Sequence, residues 1–328
     1  MILGFCSYGL TVDWAQVHRA LDSLHWYSIA GALGAAMAGT GCMMLSWRRL
    51  LADLGSKLPI PVAARVTFMA QLAKYVPGAV WSFAAHVELG SDYGVPRRRG
   101  GASVVIALAV AAATGLLIAA ASLPLASPAV ARKYLLFLAV IPVIALCLAP
   151  PILRRLLDFA LKIIRQEPLE RRVSWRGLAE AVGLAALGWL LSGMGVWLLV
   201  SDMARGGLHL ALISVGAYAL AVTVALLLVV FPSGIGAREV IMVAALAPVL
   251  PQGAALAVAL VVRAVTTASD LAWGGIAAAL ARSARYGRRA TAAMASRSAQ
   301  EVRQIGKHRK PPARRRAAAG PTDQPDAA

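Results

Sequence analysis

A chain of 328 residues has room for two soluble domains, but 59% of it is hydrophobic and only 15% is charged, well under the quarter usual in soluble proteins. Its apolar runs are long enough to cross ~30 Å of hydrocarbon as helices, and they lack the polar face that a soluble helical bundle would keep. The net charge of +18 invites a nucleic-acid partner, but the basic residues gather between the apolar runs with no aromatic platform beside them, so no nucleic acid is expected.

The first segment, Met1 to Val12, is apolar but short. It has no basic n-region and no small-x-small cleavage site, so it reads as the end of a helix or an interfacial segment, not a signal peptide. Apolar runs then follow at Trp26–Ser46, Ala102–Ser122, Tyr134–Pro151, Leu178–Val200, Ala211–Phe231 and Ala254–Leu280. Between them lie basic clusters: Arg48, Arg49, Lys57 and Arg65; then Arg97, Arg98 and Arg99; then Arg154 through Arg176; then the tail from Arg282. The opposite set holds only Arg19, Arg132, Lys133 and Arg205. That asymmetry places the clusters on the cytoplasmic side of the cell inner membrane. Residues 282–328, rich in Arg, Ala and Pro, read as a disordered cytoplasmic tail whose ordinary partner is anionic lipid.

Two segments do not fit as simple spans. Pro61 to Tyr93 begins and ends beside cytoplasmic clusters, and its apolar stretch is broken at Pro77-Gly78. Ala211 to Leu250 begins and ends outside and is broken at Pro232-Ser233-Gly234-Ile235-Gly236. Each reads as a re-entrant hairpin, entered from opposite faces; broken helices in corresponding halves point to an inverted repeat with a binding site near the midplane. The expected fold class is therefore all-α: a polytopic membrane helix bundle, residues 1–281, of about six full spans plus two re-entrant broken hairpins in an inverted repeat.

Smaller patterns add detail. Leu153 to Arg165 separates apolar from charged faces, as a helix in the inner interface would. Gly31, Ala35 and Gly39 recur four apart, as do Gly188 and Ser192, a spacing that lets helices cross closely. The three cysteines, Cys6, Cys42 and Cys147, have no metal or disulfide spacing and read as small packing residues.

Ionisable groups in apolar segments each need a reason, since one costs ~2.5–3.5 kcal/mol or more to insert. Lys74 precedes the first break, with His86 and Glu88 after it. Arg238 and Glu239 follow the second break, and Arg263 and Asp270 share a face of the last span. One reading pairs them off: Arg238 with Glu239 or Asp270, and Lys74 with Glu88. The other has the excess cations hold an anionic headgroup, with Arg as a bidentate fork, Lys as a point charge, and glycine-exposed backbone N–H groups beside them. Tyr75 and Trp81 offer amphipathic surfaces to such a headgroup.

The stretch Gln71-Leu-Ala-Lys74-Tyr75-Val-Pro77-Gly78-Ala-Val-Trp81, followed by Pro232-Ser-Gly234-Ile-Gly236-Ala-Arg238-Glu239 and then Arg263, resembles the transmembrane flippase-like domain of lysylphosphatidylglycerol synthases. The resemblance runs from about Val12 to Leu280. It implies translocation of a modified phospholipid or a polyprenyl-linked sugar between leaflets, with Lys74, Tyr75, Trp81, Arg238, Glu239 and Arg263 at motif positions. Only Met1–Val12 stands where that family has a full first helix. The large aminoacyl-transferring domain of the synthases has no counterpart in these residues, so synthase activity is not expected.

The leading function is thus an anionic-phospholipid or lipid-linked-sugar flippase, not an enzyme. The alternatives are a scaffold for a glycosyltransferase or other lipid-modifying enzyme, and an intramembrane transferase. His86 and Glu88 can be imagined as an acid–base pair for the last of these, but zinc and serine motifs are missing. No nucleotide-binding loop is present, and no cofactor or metal is expected.

Overall fold

The computed structural model describes residues 16–76, 80–126, 173–227 and 236–308, with the backbone alone from 281 onward. Among these, every regular element is helical: α1 (Trp26–Asp53), α2 (Ile60–Leu72), a 3-10 turn (Ala73–Tyr75), α3 (Val80–Ser91), α4 (Arg97–Ala126), α5 (Trp175–Ser201), α6 (Leu208–Leu227), α7 (Ala237–Leu246) and α8 (Gln252–His308). Met1–Val12, Pro77-Gly78, Tyr134–Pro151, Leu153 to Arg165 and Pro232 to Ile235 lie outside the described residues. Residues 1–280 form one compact unit and 281–328 a second.

Among the described residues, five helices are long and apolar enough to cross a membrane: Trp26–Asp53, Arg97–Pro124, Trp175–Ser201, Leu208–Leu227 and Gln252–Leu280. The protein is an integral membrane protein. These five match five of the six apolar runs; the sixth, Tyr134–Pro151, falls outside the described residues. Two features differ from expectation. The first arm of the second broken segment, α6, is 20 residues long, or ~30 Å at helical rise, which is long enough to span; α7, with 10 residues, is of re-entrant length. The helix α8 continues to His308 where a disordered tail was expected. Alanine, arginine and glutamine are strong helix formers, and their local propensity favours helix in residues 282–308.

The antiparallel pair α1 and α5 forms the centre of the first unit. The small residues at their crossing allow backbone contact. A Cβ on Gly39 would lie 2.8 Å from the Gly188 carbonyl, and one on Gly188 would lie 2.9 Å from the Gly39 carbonyl. Ser192 sits against Gly39, and Leu198 Cδ1 would be 2.8 Å from a Cβ on Gly31. The spacing of small residues in the sequence thus marks this crossing. The helix ends are tied reciprocally. Asp53, the last residue of α1, accepts from Ser174 N at 2.9 Å and Ser174 Oγ at 2.7 Å at the start of α5. Asp202, just past α5, accepts from His25 N and Ser28 Oγ, both at 3.0 Å, at the start of α1. Each carboxylate thereby satisfies orphan donors of the other helix and complements its positive end.

This reciprocity extends along the chain. Trp26, Gly39 and Asp53 correspond to Trp175, Gly188 and Asp202 at one constant offset in sequence. Ser46 Oγ donates to Ala181 O at 2.8 Å, and the matching Gly195 would place a Cβ 3.2 Å from Ala32 O. Trp26 and Trp175, both largely exposed, stand at opposite ends of the pair, where interfacial anchors belong. The element order repeats too: span, broken helix pair, span occurs as α1, α2–α3, α4 and again as α5, α6–α7, α8.

Packing against α8 positions both broken pairs. Phe68 of α2 stacks on Trp273 of α8 with centroids 4.3 Å apart, and Leu72 lies so close to Gly274 that a Cβ there would meet its Cδ1 at 2.7 Å. From the other half, Met242 and Leu246 of α7 share a core cluster with Ala255, Val258 and Val262 of α8.

Candidate functional site

Charges from both halves of the first unit meet on α8. Arg263 stands 11 residues after Gln252, and Asp270 stands 10 before Leu280. At helical rise each is about 15 Å from an end of the span, near mid-depth. The 3-10 turn closing α2 brings Lys74 Nζ to 2.5 Å from Asp270 Oδ2. Tyr75 donates its hydroxyl to the same oxygen at 2.7 Å, and Asp270 is 7% exposed. The Lys74 ammonium also sits 5.4 Å from the Tyr75 ring centroid.

From the other half, α7 begins at Gly236, whose φ of 92° lies in the left-handed region that glycine enters without a Cβ clash. The carboxylate of Glu239 folds back onto this helix start: Gly236 N donates to Oε2 at 2.7 Å. Its other oxygen receives Arg263 Nη1 at 2.9 Å. Glu239 thus caps its own helix and links α7 to α8.

Arg238 is different. Its guanidinium lies over the Tyr218 ring of α6, 5.4 Å from the centroid, a cation–π contact. Its Nη2 is buried with no hydrogen-bond partner, and no carboxylate pairs with it among the described residues. Lys74 stands within electrostatic reach of both Arg238 and Arg263. Beside the group, a narrow cleft of about 10 Å³ lies between α1, α5, α6 and α8, lined by Ala36, Gly195, Tyr218, Val262 and Thr266 among others.

Of the residues singled out in the sequence, Lys74, Tyr75, Gly236, Arg238, Glu239 and Arg263 belong to this cluster. Trp81 lies on α3 with 56% of its surface exposed. Pro77, Gly78 and Gly234 lie outside the described residues. The pairings expected from sequence are corrected: Lys74 bonds Asp270 instead of Glu88, and Glu239 bonds Arg263 instead of Arg238. Glu88 pairs with Arg97 at 2.7 Å on an exposed surface, because the chain turns back at 92–96 and brings the start of α4 beside it. There Arg97 holds the Glu88 carboxyl below the usual carboxylate range. His86 is packed edge-on to Trp47 with centroids 4.4 Å apart, away from Glu88's ion pair. Asp270 and Tyr218 were missing from the expected site. Asp270 is read from the sequence as an acid sharing a face with Arg263 and a partner for Arg238, but not as part of the headgroup site. Tyr218 had only the signal of being the one Phe, Tyr or Trp in a largely aliphatic α6.

No group of three or more metal-ligating side chains occurs among the described residues. The cluster is an arrangement of cations, carboxylates and a tyrosine that can hold an anion by charge and hydrogen bonds.

Compared with known protein families, residues 2–274 match the Lysylphosphatidylglycerol synthase TM region. The chain belongs to this family. The match contains α1 to α7, the turn carrying Lys74 and Tyr75, and α8 through Asp270, so the whole cluster falls within the family's region. No curated protein matches the chain.

Proposed function

We propose that this protein moves an anionic lipid headgroup, of a phospholipid or of a polyprenyl-linked sugar, between the leaflets of the cell inner membrane. The observation that carries this reading is the charge balance at mid-depth. Three cations, Lys74, Arg238 and Arg263, face two carboxylates, Asp270 and Glu239. The one left over, Arg238, has a buried N–H with no acceptor. A buried unsatisfied donor on a charged group is costly, and so is a charge inside a membrane. A headgroup phosphate relieves both at once.

The repeated order of span, broken pair and span, with its reciprocal α1–α5 contacts, supports an inverted repeat in which two halves rock about a shared crossing. Such rocking exposes a midplane site alternately to each leaflet. The basic residues support the orientation. Arg48 and Arg49 near the end of α1, Arg97 to Arg99 at the start of α4, and Arg176 at the start of α5 collect at one end of the unit, which the charge rule makes cytoplasmic. The family membership adds a lipid context. On this reading the protein is a translocator with no catalytic role.

The test is a reconstituted vesicle carrying a headgroup-labelled anionic lipid, with quencher outside. Arg238→Ala, which removes no carboxylate partner, stops headgroup movement with insertion intact, and Arg238→Lys restores it in part because the planar fork is lost. Equal movement with wild type and Arg238→Ala would leave the cluster a structural network and favour a scaffold for a lipid-modifying partner.

A further inference from the structure

Resting on that reading, we infer that the site is matched to a single negative charge and that each headgroup crosses without an accompanying proton. Its ligand is a phosphodiester monoanion, not a diphosphate, and its movement is electrogenic.

The inference comes from which groups in the cluster are satisfied. Asp270 accepts from Lys74 and Tyr75. Glu239 accepts from Arg263 and from the Gly236 amide. Neither carboxylate has an unmet need that a proton would fill, and protonation of either would strand its cation in the membrane interior at a cost of several kcal/mol. The unmet need is a donor, Arg238 Nη2. Formal charges leave the empty cluster with one positive charge in excess. One phosphodiester brings it to neutrality; a diphosphate overshoots, leaving at least one negative charge uncompensated at mid-depth.

Among the described residues, the titratable groups around the cluster are those already named: Lys74 and Tyr75 from the turn, Arg238 and Glu239 from α7, Arg263 and Asp270 from α8, and Tyr218 from α6. The undescribed segments that adjoin these residues in sequence, 77–79 and 228–235, contain no ionisable side chain.

Phosphodiesters have two lipid sources here, diacylglycerol lipids and polyprenyl monophosphate sugars. The experiment therefore uses three headgroup-labelled probes in proteoliposomes: phosphatidylglycerol, a polyprenyl monophosphate sugar and a polyprenyl diphosphate sugar. A potassium gradient with valinomycin sets the potential, and a separate series imposes a pH gradient. Wild type distributes at least one phosphodiester probe between leaflets by about fifty-fold for a potential of about 100 mV, the ratio for one elementary charge. It ignores the pH gradient and leaves the diphosphate probe in place. Which phosphodiester moves names the source. Asp270→Asn adds one positive charge, and preference shifts from phosphodiester to diphosphate. If that variant does not insert, the wild-type potential series decides alone. Movement of the diphosphate at a rate equal to that of the phosphodiesters, or a distribution set by pH instead of potential, overturns the charge match and leaves translocation standing. Absence of movement for every probe overturns both.

Discussion

The Lys74–Asp270 pair offers a sharp energetic test, because its two members differ in exposure. Asp270 has 7% of its side chain exposed, whereas Lys74 has 33%. Lys74→Ala strands the nearly buried carboxylate with only the Tyr75 hydroxyl, so the loss approaches the ~3–5 kcal/mol of a broken buried pair. Asp270→Ala strands an ammonium that can relax toward its exposed side. It also removes the acceptor of Tyr75, so roughly 2–3 kcal/mol is expected. Removing both charges in Lys74→Ala/Asp270→Ala leaves neither stranded, and the double variant should be more stable than Lys74→Ala alone. The measurement is equilibrium unfolding in mixed detergent micelles with helicity as the signal, read as a double-mutant cycle. Single losses that simply add in the double variant would show that the two residues do not act as a pair, and would undo the description of the site.

Three other perturbations probe the frame. Gly39→Val places a side chain against Ser192 and the Gly188 carbonyl and should cost ~1–3 kcal/mol by overpacking. Gly183→Ala, with nothing within 4 Å of its Cβ position, should be neutral or stabilising in the same unfolding assay. Asp202→Ala removes the acceptor for His25 N and Ser28 Oγ. It should lower stability by ~1 kcal/mol, as loss of a helix cap does, and equal stability would show that the reciprocal ties between α1 and α5 are idle. Single cysteines placed at Ser174 and Arg205 in a cysteine-free background should be labelled from the cytoplasmic and outer faces respectively; the reverse pattern would invert the assigned orientation.

The sequence was legible where physics is local. Apolar runs mark spans because hydrocarbon thickness sets helix length, and five of them coincide with described helices. Gly39 and Gly188 mark the α1–α5 crossing because only small residues admit backbone contact. The residues flanking the two Pro-Gly motifs, Lys74 and Tyr75 on one side and Gly236 to Glu239 on the other, do meet on α8. What was not legible depends on distance along the chain. Lys74 and Asp270 are 196 residues apart, and no periodicity says that Asp270, not Glu88, answers Lys74. Glu239 follows Arg238 directly, yet successive helical side chains diverge, so the acid turns to Arg263 and to its own helix start instead. The helical stretch past Leu280 was hidden for a different reason: charge and missing apolar anchors argue for disorder, whereas alanine content argues for helix, and composition alone does not rank the two.

The central claim is that Arg238 awaits a headgroup phosphate. Its most direct test is a structure of the protein in a nanodisc containing phosphatidylglycerol and a polyprenyl monophosphate sugar. The account predicts headgroup density within hydrogen-bonding distance of Arg238 Nη2, with the Lys74–Asp270 and Arg263–Glu239 pairs close by. Arg238 found bonded to a carboxylate or carbonyl of the protein, with no headgroup beside the cluster, would contradict it.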